Sequence, residues 1–149
     1  MEKVLISACL LGENTKYNGK NNYLKGIEKL FPICDLIIIC PEVMSGMKTP
    51  RNPSEIQNDK VINSQNKDVT HFFHSGAALV SYIAKENNVK YALLKENSPS
   101  CGVHKIYDGS FTSKLIDGQG MTTRALIKMG IQVFSEKEID FLIQKLTNQ

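Results

Sequence analysis

Long apolar runs are missing from this 149-residue chain. The longest, LIIIC at 36–40, falls far short of the roughly 20 residues that span a bilayer. That excludes a membrane-spanning helix and predicts no membrane partner. The first residues, MEKVLISACLL, lack the basic opening, extended apolar stretch and small-residue cleavage site of a signal peptide. A cytoplasmic chain is expected, in which thiols stay reduced. The four cysteines are therefore not expected to form a disulfide framework, and remain as structural thiols, metal ligands or reactive groups. Charge of one sign is also scarce, since a net +3 with few clustered basic residues argues against long nucleic acid. No C-x-x-C pair occurs, so ordinary zinc-ribbon and ferredoxin patterns do not apply. Internal repeats, low-complexity segments and linkers are lacking too, and one domain spanning 1–149 is expected.

What is present is an alternation of strand-like and helix-like segments. KVLISAC (3–9) is a short apolar run ending in small residues, as in a buried strand. NYLKGIEKLF (22–31) has a weak helical pattern and stops at Pro32. DLIIIC (35–40) is rich in β-branched residues and reads as a central strand. Residues 41–68 carry three prolines and many polar residues, a long connection of the kind that is usually functional. Val69, Phe72, Phe73, Gly76, Ala77, Val80, Ile83 and Ala84 recur on one helical face, with Asp68 as N-cap. KYALLK (90–95) is a further strand. Residues 103–120 read as loop with room for a hairpin. MTTRALIKM (121–129) is a helix stopped by Gly130, and IQVFS (131–135) is the last strand. Ser135 and Glu138 form a capping box ahead of a final helix that ends near residue 146. The order predicts an α/β fold: a Rossmann-like three-layer sandwich with a mainly parallel sheet of about four strands. Ligands in such sheets bind at the carboxyl ends of the strands.

Three cysteines fall on that edge. Cys9 closes the first strand, Cys40 the second, and Cys101 lies six residues past Lys95 in the loop leaving the third. Cys34 precedes its strand, at the opposite end, and reads as a small buried hydrophobe. Three converging cysteinates suit Zn²⁺ with water or His104 as fourth ligand, three irons of a [4Fe–4S] cluster with the fourth open, or a redox relay. His71 and His74 fall off the apolar face of their helix. Glu42, in CPE, is placed to move protons beside a partly dry metal site or to cap a helix. Ser98 and Ser100 flank the turn bearing Cys101, where they bond a cysteinate or substrate or stabilise the turn. Lys16 and Tyr17 follow the first cysteine and line the same mouth. Arg51, in TPRNP, binds an anion or is solvated. GQGMTT puts Gly120, Thr122 and Thr123 at a helix start, a possible phosphate cradle.

Taken together, SACLLG (7–12), YNG (17–19), CPEV with TPR (40–43 and 49–51), KENSPSCG (95–102), YDGSF (107–111) and GQGMTTRAL (118–126) resemble the DUF523 family, which includes the thiouracil desulfurases. The resemblance runs in order over nearly the whole chain. MSGM (44–47) and TKYNG (15–19) depart from the family pattern. The resemblance implies a [4Fe–4S] cluster held by Cys9, Cys40 and Cys101, with one iron lacking a protein ligand. It implies removal of sulfur from a thiolated pyrimidine, thiouracil or 4-thiouridine monophosphate, releasing hydrosulfide and the oxygenated base. Glu42 and Ser98 match positions proposed to assist catalysis, and Cys34 matches no family cysteine. Lys16, Tyr17, Arg51, Ser100, Gly120, Thr122 and Thr123 are the expected substrate contacts, and Gly102 is expected to let the backbone pass close to the cluster. The competing readings are a non-enzymatic metal- or redox-sensing module and a Zn-dependent hydrolase built on the same cysteines.

Overall fold

The computed structural model describes residues 1–148. Its centre is a parallel sheet of four strands, β1 (Lys3–Ser7), β2 (Asp35–Ile39), β5 (Tyr91–Leu94) and β8 (Gln132–Ser135), in the order β2-β1-β5-β8. The chain steps from β1 to β2 on one side and then to β5 on the other, so strand order reverses beside β1. This is the position where doubly wound sheets open a crevice.

Alternation along the strands explains the two layers that cover the sheet. Leu5, Ala92 and Leu94 point to one face, where they meet Val80 and Ala84 of α2 (Thr70–Glu86) and Leu126 of α3 (Met121–Lys128). Val4, Ile6 and Leu93 point to the other, against Leu142 and Leu146 of α4 (Ile139–Thr147) and Ile27 and Leu30 of a single 3-10 turn. The weak helical pattern at 22–31 therefore yields one turn, Ile27–Leu30, ahead of Pro32. Phe73, Gly76, Ala77, Val80 and Ala84 form the buried stripe of α2. The N-cap position falls on Val69 and not on the expected Asp68, which lies one residue further out and accepts the Thr70 backbone N–H at 2.9 Å. Both halves of the Ser135–Glu138 capping box are present.

The connection at 41–68 is more ordered than its composition suggests. It opens with a short helix, α1 (Pro41–Met44), and contains an antiparallel hairpin of β3 (Ser54–Gln57) and β4 (Lys60–Asn63). The hairpin expected within 103–120 is formed by β6 (Lys105–Tyr107) and β7 (Leu115–Asp117). Among the described residues no helix is long and apolar enough to cross a membrane.

Candidate active site

A cleft of about 400 Å³ opens at the carboxyl ends of β1, β2 and β5. Cys9, Cys40 and Cys101 all line it. Backbone chemistry puts them there. The chain leaves β1 at Ser7 and turns at once into a 3-10 turn, Ala8–Leu11, which carries Cys9 past the strand end and stops at Gly12 in the left-handed region. Cys40 is the extended residue ahead of α1, whose first residue is Pro41, a position that needs no N–H. Cys101 sits in a turn after β5 whose backbone N–H donates to Ser98 Oγ at 3.0 Å.

Cys101 and Cys9 carry the mark of the other cleft thiols. Burial pushes Cys101 up to about 12, against hydrogen bonds from Ser7 and Ser100, and the charges of Cys40 and Cys9 add to the rise. Burial raises Cys9 as well, Asn22 lowers it by a hydrogen bond, and Cys40 raises it again. Cys101 thus feels the charge of both Cys40 and Cys9, and Cys9 that of Cys40, as separate core cysteines would not. Cys34 lies apart: it is buried with Leu30 and Phe134, and its thiol donates to Leu30 O at 3.4 Å. All four cysteines are free thiols.

Among the described residues no group of three His, Cys, Asp or Glu side chains is arranged to hold a lone metal ion. A cubane sets a different condition, because each thiolate takes its own iron and the sulfurs ring the cluster. Three soft donors from three loops around one cleft fit that group.

Glu42 and Arg51 meet at the cleft edge. Arg51 Nε donates to Glu42 Oε1 at 2.9 Å, and Ser100 Oγ donates to Glu42 Oε2 at 2.8 Å. The guanidinium is otherwise committed to the chain, with Nη2 on Thr15 O at 2.8 Å and Nη1 on Thr49 Oγ1 at 2.9 Å and Lys48 O at 3.3 Å. Its backbone N–H donates to Tyr17 O at 2.7 Å. The expected anion-binding arginine is therefore the clamp that fixes Glu42 and the 15–17 loop. Ser98 Oγ accepts from the backbone N–H of Ser100 at 3.1 Å and of Cys101, and lies 2.8 Å from Ser100 Oγ. With both lone pairs of Ser98 filled by backbone donors, its hydroxyl is left to donate to Ser100. The result is a chain from Ser98 through Ser100 to Glu42, and Ser100 rather than Ser98 touches the carboxylate.

The expected phosphate cradle is closed. The first N–H groups of α3, from Met121 and Thr122, donate to Pro99 O and Ser100 O, each at 2.9 Å, and Thr123 Oγ1 donates to Cys101 O at 3.0 Å. Thr122 and Thr123 are buried. A Cβ on Gly120 would stand 2.4 Å from the Ser100 carbonyl carbon. This helix start accordingly braces the Cys101 turn, and its anion-binding capacity is taken up by protein carbonyls. Gly102 also serves the turn itself, since a Cβ there would meet Ser98 O at 2.7 Å.

Lys16 and Tyr17 line the cleft as expected, with Lys16 Nζ 5.8 Å from the Tyr17 ring centre. His104 turns instead to Glu138, 2.7 Å away, and His71 and His74 are exposed. Sequence reasoning passed over four further residues. Ser7 accepts the Lys95 backbone N–H at 3.0 Å and bonds the Cys101 thiol. Asn22 bonds Cys9. Lys95 Nζ pairs with Glu136 Oε2 at 3.1 Å. Glu96 is 4% exposed, and its Oε1 accepts backbone N–H groups of Val103, His104, Lys105 and Asn97 at 2.7, 2.9, 3.1 and 3.3 Å. Ser7, Lys95 and Glu96 all stand in the quoted SACLLG and KENSPSCG segments, which was the available signal; Asn22 had none.

Known proteins share this fold over the length of the chain. The solved structure of TudS, a [4Fe-4S]-dependent thiouracil desulfidase, superposes with a TM-score of 0.95 and 38% identity over 100% of both chains. The uncharacterized protein YbbK of Bacillus subtilis (strain 168) is 37% identical over 150 residues, covering 94% of this chain and 99% of that one. Residues 4–138 match the model of the 2-thiouracil desulfurase family, and the chain belongs to that family.

Proposed function

We propose that the protein is a desulfidase that exchanges the sulfur of a small thiolated pyrimidine for oxygen, using a [4Fe–4S] cluster held by Cys9, Cys40 and Cys101. The observation that carries this reading is a carboxylate, Glu42, fixed on both oxygens by Arg51 and Ser100 at the edge of a cleft ringed by three thiols. When bound, the cluster would supply an iron without a protein ligand, a soft Lewis acid suited to thiocarbonyl sulfur.

The chain's own residues then have defined tasks. Water adds its oxygen to the ring carbon, the C–S bond breaks, and hydrosulfide leaves, so C=S and H₂O become C=O and H₂S with no net oxidation. Glu42 takes the proton from water and returns it to the departing sulfur. Arg51 holds the carboxylate in place, and the Ser98–Ser100 chain orients its other oxygen. The cleft volume suits a single base or nucleotide, which agrees with the weak case for long nucleic acid. A cytoplasmic setting keeps the thiols reduced and available.

Anaerobic reconstitution tests the reading directly. The expected result is four irons and matching sulfide per chain, a broad absorption near 400 nm, and sulfide release with uracil formation from 2-thiouracil. A loaded cluster with no sulfide release would leave the metal- or redox-sensing alternative, and zinc with no iron would leave the hydrolase.

A further inference from the structure

The loop joining β6 to β7 carries a bulky residue in an unfavourable backbone conformation. Phe111 has φ +58, a left-handed geometry in which large side chains are genuine outliers. Such conformations persist only where the surroundings over-determine them, and they collect at ligand sites. Three attachments to β3 impose this one. Glu55 Oε1 accepts the backbone N–H of both Gly109, at 3.0 Å, and Phe111, at 3.1 Å. Gln57 Nε2 donates to Gly109 O at 2.6 Å. Gly109, at φ +95, lies so close to β3 that a Cβ would stand 2.6 Å from Gln57 Cγ and 2.8 Å from Ile56 O.

Core packing does not account for the ring. Phe111 is 37% exposed and belongs to none of the three buried apolar clusters, yet it lines the cleft that holds the three cysteines. We infer that Phe111 is a substrate-positioning residue, whose flat apolar face, set by Glu55, stacks on the pyrimidine ring and selects a planar aromatic substrate. The inference rests on the proposed function for the identity of the ring. Tyr17 and Tyr107 share the cleft, but the Tyr17 ring already faces Lys16, and Tyr107 closes β6 within the sheet ladder.

The test compares Phe111→Gly, Phe111→Tyr and the unaltered protein, each loaded anaerobically with cluster. Calorimetric Kd for uracil, KM for 2-thiouracil, iron per chain and Tm are measured for all three. Glycine is at ease at φ +58, so Phe111→Gly should keep its iron and keep or raise its Tm. Loss of base stacking should weaken uracil binding and raise KM by roughly 5- to 150-fold, and Phe111→Tyr should restore both. A lower Tm with unchanged Kd and KM would make Phe111 a packing residue and overturn the inference, as would a tyrosine variant as impaired as glycine. If the unaltered protein binds uracil but releases no sulfide, the proposed function fails while the Kd series still decides the role of Phe111. If it binds neither pyrimidine, both fail.

Discussion

Arg51 and Glu42 form an ion pair at 2.9 Å, with side chains only 8% and 15% exposed. The pair ties the loop before β3 to the start of α1 and leaves the guanidinium without a free edge for a phosphate. Arg51→Ala should therefore lower kcat for a free thiolated base and for its nucleotide alike, and should cost roughly 3 kcal/mol of stability by stranding a largely buried carboxylate. Glu42→Gln keeps the shape and should retain iron while slowing sulfide release by about 10²–10⁴. Steady-state kinetics with both substrates provide the check. A KM effect of Arg51→Ala confined to the nucleotide would return a phosphate-binding role to Arg51.

Removing each thiol in turn separates the ligand set from the core. Alanine at Cys9, Cys40 or Cys101 should abolish stable iron binding. Cys34→Ala should keep full iron and lose about 1 kcal/mol through the small cavity it leaves. Iron and sulfide per chain after anaerobic loading decide the matter, and an iron-depleted Cys34→Ala protein that is otherwise well folded would contradict it.

Glu96 ties residues 103–105 back to the end of β5 through three backbone hydrogen bonds to one oxygen, which also accepts from the Asn97 N–H. Burial pushes its carboxyl up, but the bonds from His104, Lys105, Val103 and Asn97 outweigh it and hold the group below the usual carboxylate range. A carboxyl with a depressed folded-state pKa adds stability that is fully present above its unfolded value, about 4.3. That stability disappears as pH falls through the lower folded value. Glu96→Gln should thus be less stable by about 1–3 kcal/mol at neutral pH, with the gap narrowing in acid. Urea unfolding of both proteins between pH 3 and 7 measures it; a gap independent of pH would mean that the charge contributes nothing.

With Arg51 bound to Glu42 and Lys95 to Glu136, Lys16 is the cation among the described residues lining the cleft that has no acidic partner. Lys16→Ala should raise KM for 4-thiouridine monophosphate about 2- to 5-fold and leave that for free thiouracil unchanged, as expected for one half-buried, solvent-screened charge on a phosphate. Equal effects on both substrates would make Lys16 a general support of the 15–17 loop.

Several elements could be read without coordinates because their cause is local. The β-branched run at 37–39 made β2, the i, i+3, i+4 stripe from Phe73 to Ala84 made the buried face of α2, and Ser135 with Glu138 opened the 3-10 turn Glu136–Glu138 that runs into α4. Each is set by side chains within a turn or two of one another. The placement of Cys9, Cys40 and Cys101 on one edge followed from strand order alone, since parallel strands bring their carboxyl ends together. The weak pattern at 22–31 misled because only Ile27 and Leu30 of that segment enter the core.

Residue order along the chain was enough for the alternating fold, the three thiols at strand ends and the separate place of Cys34. What Arg51 holds, which serine touches Glu42, why the α3 start cannot take a phosphate, and how Glu55 sets the Phe111 backbone emerge only once the chain is folded. Each of those rests on partners far apart in the chain: Arg51 with Thr15, Ser100 with Glu42, Thr122 with Ser100, Phe111 with Glu55. A donor such as a guanidinium or a helix N-terminus is equally able to bind substrate or protein. Composition reveals the capacity, and the distances after folding show which acceptor has filled it.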